Sequence, residues 1–157
     1  MRIFTFCSLI LISTNFFAQS LKIDVEWDGD KSYTLGGNTF VVPETKNFKN
    51  NFSYGDYFRI TMQWDSDKII DDSSVVISNI LYEDFDLNLY SGLQKVNFNN
   101  NINVTFNSSM SKGKIFSFLE LDPIIFKNGA YKKVKSFEIS YRYCLLYTSP
   151  SPRDTNP

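Results

Sequence analysis

Lys114-Ile-Phe-Ser-Phe-Leu-Glu-Leu-Asp-Pro-Ile-Ile-Phe-Lys-Asn-Gly-Ala-Tyr-Lys-Lys-Val-Lys-Ser-Phe-Glu-Ile-Ser-Tyr-Arg-Tyr143 is the stretch whose reading decides the fold. Two strand-like runs, residues 114–121 and 134–143, flank Asp122-Pro123 and the turn signal Asn128-Gly129. Outside the amino terminus no part of the chain is more apolar, which predicts the centre of a sheet.

Upstream, residues 22–27 alternate, with Ile23, Val25 and Trp27 on one face and Lys22, Asp24 and Glu26 on the other. That is the period of a half-buried strand. Asp28-Gly29-Asp30 reads as a turn. Residues 32–35 and 39–42 read as a hairpin around Gly36-Gly37-Asn38, with Pro43 ending the second strand or placing it at an edge. Residues 44–55 read as a polar loop whose Phe48, Phe52 and Tyr54 cover the core. Residues 57–64 alternate again, with Phe58, Ile60, Met62 and Trp64 in phase. Residues 73–81 are rich in β-branched side chains, and residues 101–107 alternate Ile102, Val104 and Phe106 with polar partners. Tyr82, Phe85, Leu89 and Leu93 have helix-like spacing, so residues 82–93 are either a short helix or an irregular crossover. About eight strands and no strong helix predict an all-β fold, an antiparallel β-sandwich or jelly roll.

The composition excludes several functions. A formal net charge of -1 with no basic stripe argues against nucleic-acid binding. The chain has no histidine, so no Ser/His or Cys/His catalytic pair exists within it. Its two cysteines, Cys7 and Cys144, fall in terminal segments that read as foreign to the folded domain.

Residues 1–19 read as a signal peptide. Met1-Arg2 is a positive start, residues 3–17 are mostly apolar, and Ala18 is a small residue for cleavage. The run is shorter than the roughly 20 residues of a membrane span, and no basic stop-transfer cluster follows. Residues 20–143 form the predicted β-domain. From Cys144 the composition shifts, and three of the five prolines (Pro150, Pro152 and Pro157) fall in residues 144–157. Cys144-Leu-Leu-Tyr-Thr-Ser-Pro-Ser-Pro-Arg-Asp154 resembles a translated transposase sequencing adapter without a gap. The expectation is a tail foreign to the protein, on an amino-terminal fragment of a longer gene.

No catalytic, cofactor-binding or metal-binding residue is predicted. Asp28 and Asp30, Asp65 and Asp67, and Asp71-Asp72 complete no calcium loop and read as turn acids. Glu120 and Asp122 share a strand face with no acid placed opposite. Asn51, Asn103 and Asn107 head chance glycosylation patterns in an Asn-rich chain. Lys132, Lys133 and Lys135 read as a solvated strand edge. Trp27 and Trp64 sit on the apolar phase of their strands and read as core rather than as a sugar platform.

Leu119-Glu-Leu-Asp-Pro-Ile-Ile125, Asn128-Gly129, Tyr131-Lys-Lys-Val134 and Ser136-Phe-Glu-Ile-Ser-Tyr141 resemble the amino-terminal region of the type IX secretion system sortase of Bacteroidetes, a gingipain-like cysteine peptidase. The early Ile23-Asp-Val-Glu-Trp27 and the signal peptide are compatible with it. The resemblance implies a β-domain preceding a peptidase with a catalytic Cys and His. That peptidase removes sorting domains from secreted cargo and joins the cargo to lipopolysaccharide. This chain would then be non-catalytic, although its parent is an enzyme. Its implied partners are its own peptidase domain, which is missing here, and outer-membrane secretion-system proteins. It would not span the membrane, and it would be exported to the periplasm or the outer-membrane cell surface. The alternative is a free-standing secreted module that binds carbohydrate or protein.

Overall fold

The computed structural model describes residues 19–144. The expected signal peptide, apart from Gln19, and the expected tail beyond Cys144 lie outside those residues. The described chain is all-β. Its strands are β1 (Gln19–Asp24), β2 (Trp27–Leu35), β3 (Asn38–Thr45), β4 (Lys49–Ser53) and β5 (Tyr57–Ser66). They continue with β6 (Val76–Asp84), β7 (Val104–Ser111), β8 (Lys114–Leu121), β9 (Ile124–Lys127) and β10 (Ala130–Tyr141). Single 3₁₀ turns occupy Asp72–Ser74 and Leu87–Leu89.

One sheet has the order β1-β10-β6, with β9 also pairing with β10. A second runs β4-β5-β8-β7, and β2-β3 is a separate hairpin. All pairs are antiparallel. Residues 114–143 therefore supply an inner strand to each large sheet, β10 in the first and β8, beside β5, in the second. β8 alternates as its sequence predicts: Ile115, Ser117, Leu119 and Leu121 are buried, while Lys114, Phe116, Phe118 and Glu120 are not. The core joins Leu119 and Leu121 to Val42, Ile60, Leu93, Ile124, Val134, Phe137 and Ile139.

β10 does not keep one phase. Its pairing with β6 slips between Val134 and Ser136 and again between Ser136 and Glu138. Each slip places an extra residue on one strand and turns the following side chains over. Val134, Ser136 and Phe137 are consequently all buried in one strand. The β6 side of the second slip contains Asn79, which adopts φ 49 and donates from Nδ2 to Glu138 at 2.8 Å. Asparagine is one of the few residues that enters this left-handed region at little cost.

Three hairpins close through two-residue turns with positive φ at both positions: Gly36-Gly37, Lys112-Gly113 and Asn128-Gly129. This is the type I′ geometry that matches strand twist.

Ten strands replace the expected eight or so, because β4 and β9 are additional. β4 lies within the expected polar loop of residues 44–55. Its asparagines are used as cross-links: Asn50 Nδ2 donates to the Pro43 carbonyl at 2.9 Å, and Asn51 Nδ2 donates to Thr61 Oγ1 at 2.7 Å. The expected turn at Asp28-Gly29-Asp30 is an irregularity inside β2, where the register with β3 shifts. Residues 82–93 are not a helix. β6 runs on to Asp84, and the Phe85 N–H bonds to the Tyr131 carbonyl at 3.0 Å. Lys132, Lys133 and Lys135 lie on an inner strand, not an edge, since β10 has neighbours on both sides.

Candidate functional site

Strand register brings Asn51, Glu120 and Asp122, noted separately in the sequence, beside Arg59, which the sequence did not single out. β5 pairs with β8 so that Thr61 faces Glu120, and β4 pairs with β5 so that Asn51 faces Arg59. Arg59 bridges both acids of the 120–122 segment. Its Nε lies 3.0 Å from Asp122 Oδ1, and its terminal nitrogen lies 3.2 Å from Glu120 Oε1. The guanidinium also lies over the Tyr57 ring, 4.8 Å from the centroid. Partial burial opposes the Arg59 charge, but the two carboxylates outweigh it and hold its pKa above the ordinary arginine value. Both acids thus share one cationic partner, which balances one of their two charges. A small cleft of about 130 Å³ beside this cluster is lined by Asp56, Asn97, Asn99 and Asp122 among others.

Two lysines of the 132–135 cluster are also paired. Lys132 meets Asp84 at 2.8 Å and Lys133 meets Glu83 at 3.0 Å. The hydrogen bond from Lys132 holds the Asp84 carboxyl below the usual carboxylate range. Lys133 also covers the Trp27 ring at 5.0 Å, and the Trp27 indole donates to the Val134 carbonyl at 2.8 Å. Trp64 packs against Phe106, with ring centroids 5.9 Å apart. Both tryptophans pack against the core; Trp64 does so in the phase of its strand, whereas the expected strand of residues 22–27 ends at Asp24 and Trp27 opens β2.

The turn acids have local partners. Asp71 caps the Asp72–Ser74 turn by accepting from the Ser73 N–H. Asp28 lies 3.6 Å from Lys46. Among the described residues no His, Cys, Asp or Glu side chains gather in a group of three or more that could hold a metal ion.

Two open concavities complete the surface. One of about 510 Å³ is lined by Asp84, Phe85, Asp86, Asn88, Gln94 and Tyr131, among others. The other, of about 390 Å³, is an apolar groove between β6 and β7, lined by Val75, Ile77, Ile80, Ile102, Val104 and Phe106 with Asp72 at its border. Neither was legible in the sequence, because each joins segments far apart in the chain.

No family model matches the sequence, and no curated protein matches it. Two solved structures have a similar layout. One is a structure of gingipain K from Porphyromonas gingivalis that concerns its zymogenic latency. It is 12% identical, covers 80% of this chain and 99% of that one, and has a TM-score of 0.48. The other is the complex of the Porphyromonas gingivalis RgpB pro- and mature domains. It is 6% identical, covers 85% of this chain and 84% of that one, and has a TM-score of 0.46. At such identity no residue role transfers to this chain. No helix among the described residues is long and apolar enough to cross a membrane.

Proposed function

We propose that residues 20–143 are the non-catalytic amino-terminal β-domain of a type IX secretion sortase, folded beside a cysteine peptidase domain of the same polypeptide. The observation that carries this reading is the motif of residues 119–141. In the fold that motif is one contiguous unit: the end of β8, the β9–β10 hairpin, and the Val134 N–H bonded to the Pro123 carbonyl at 2.8 Å. Ile124 and Ile125 are both 1% exposed, so the motif preserves a packed substructure rather than scattered surface residues. The absence of histidine agrees with a domain that leaves peptide cleavage to its neighbour. Cargo cleavage and attachment to lipopolysaccharide would belong to that peptidase domain, at the outer-membrane surface.

The test is to sequence the native locus beyond codon 143. The proposal expects an open frame encoding a peptidase with a Cys/His pair. A stop codon soon after Tyr143, or a continuation without that pair, overturns it.

A free-standing binding module is the second reading. It is favoured by the 510 Å³ concavity, where Tyr131 lies among the carboxylates of Asp84 and Asp86 and the amides of Asn88 and Gln94, groups suited to hydrogen-bonding a sugar. A glycan array showing no binding by the folded domain would remove it.

A further inference from the structure

The edges formed by β1, β4, β6 and the β2–β3 hairpin carry features that discourage strand addition. β1 has the exposed charges of Lys22 and Asp24. β4 begins at the exposed Lys49. β6 is bulged, contains Asn79 at positive φ, and ends in Glu83 and Asp84. The β2–β3 hairpin carries Lys31 and Pro43. Such charges, bulges and prolines are how proteins blunt an edge.

β7 has none of these features. Val104-Thr-Phe-Asn-Ser-Ser-Met-Ser111 contains no charge and no proline, and its register with β8 is unbroken from Val104 to Ser111. Among the described residues β8 is its only strand neighbour. Its inward side chains, Val104 and Phe106, are half-exposed because they form one wall of the 390 Å³ apolar groove. Its outward side chains, Thr105, Asn107 and Ser109, are exposed and neutral. A strand added here must be uncharged at the cross-strand positions. It needs apolar residues at alternate positions to continue the groove wall, with small polar residues between them. β7 itself has that pattern.

We propose that a second copy of this chain docks on this edge, β7 against β7 and antiparallel. The two-fold axis would lie near Asn107, so the two four-stranded sheets become one of eight strands. An antiparallel strand pair is its own image under such a two-fold, so both copies satisfy their edges in one isologous contact. The neutrality of β7 means that self-pairing brings no like charges face to face. Phe106 and Val104 of each copy then extend the apolar wall of the other. The inference rests on the edge at residues 104–109 and does not depend on the sortase reading.

Sedimentation of the 157-residue chain across a concentration series tests it. The expected result is a weight-average mass rising from one chain to two. The double variant Asn107→Lys/Ser109→Lys should weaken the dimer by about tenfold or more. Its melt in dilute solution should match that of the dilute wild type, since both positions are exposed. Asn107→Glu/Ser109→Glu should behave alike, and mixing the lysine and glutamate variants should restore the dimer. A single-chain mass at every concentration overturns the proposal and leaves the groove to a foreign strand. Dimerisation of the lysine variant as tight as that of the wild type also overturns it, because the contact then lies elsewhere.

Discussion

Ser117 is fully buried on the inner face of β8, and its hydroxyl has no hydrogen-bond partner among the described residues. Burying an unsatisfied hydroxyl costs about 1–3 kcal/mol on the scale of protein mutations. Ser117→Ala should therefore stabilise the domain, or leave it unchanged, in denaturant melts. A clear loss would reveal a bond that the described geometry lacks. Phe137 and Ile139 are the opposite case, buried and apolar at 1% and 0% exposure. Replacing either with Ala should cost about 2–5 kcal/mol, through lost transfer energy and the cavity left behind. Lys135, exposed two residues before Phe137 on the same strand, should change stability by less than about 0.5 kcal/mol when replaced with Ala. Equal losses at all three positions would mean the β10 phase is wrong. At Asp84 the prediction concerns protons. Its hydrogen bond from Lys132 lowers its folded pKa. The stabilisation is thus present above the unfolded carboxylate pKa and is lost as pH falls through the lower folded value. Asp84 is highly exposed, so the effect on stability is small and the titration itself is the better readout. In Lys132→Met the carboxyl titration measured by NMR should move up toward the ordinary value. An unchanged midpoint would show that the pair does not persist in solution.

The elements divide by how much of their logic is local. β5 and β8 were legible because apolar and polar side chains alternate cleanly along them. The three type I′ turns were placed by their glycines and Asn128. β4 was not legible, because Asn50 and Asn51 fit a strand only through bonds to Pro43 and Thr61, which require the neighbouring strands. β9 has four residues between two turns, too few for a period to show. The slips in β10 were hidden for a related reason, since a bulge is a property of a strand pair. Likewise, Glu120 and Asp122 were visible as acids, but Arg59 becomes their counter-charge only once β5 lies beside β8. The segment after β6 adds one further case. Gly92 approaches β3 so closely that a Cβ there would lie 2.6 Å from Val42 Cγ1 and 3.1 Å from the Val41 carbonyl oxygen. Its own N–H bonds to that carbonyl at 2.9 Å. Gly92→Ala should therefore destabilise the domain by about 1–3 kcal/mol, the usual cost of overpacking. A melt at the wild-type midpoint would mean the 90–93 segment can move off β3.

For the molecule as a whole, the pairing of β1 with β10 sets the order in which a fold can exist. Gln19 is made early in synthesis and faces Tyr141, which is made late. β5 can pair with β4 early but waits for β8 on its other side, so neither large sheet is complete until residues 114–143 have been made. Loop closure over such separations is entropically costly and delays folding in chains dominated by distant contacts. A chain cut before Lys114 should show no cooperative melt, whereas one cut after Cys144 should keep the full midpoint. A cooperative transition in the shorter piece would refute this. The amino-terminal three-quarters or so of the domain thus leaves the ribosome before β8 and β10 exist to pair with β5 and β1. It stays an open, threadable polypeptide until its last two long strands arrive.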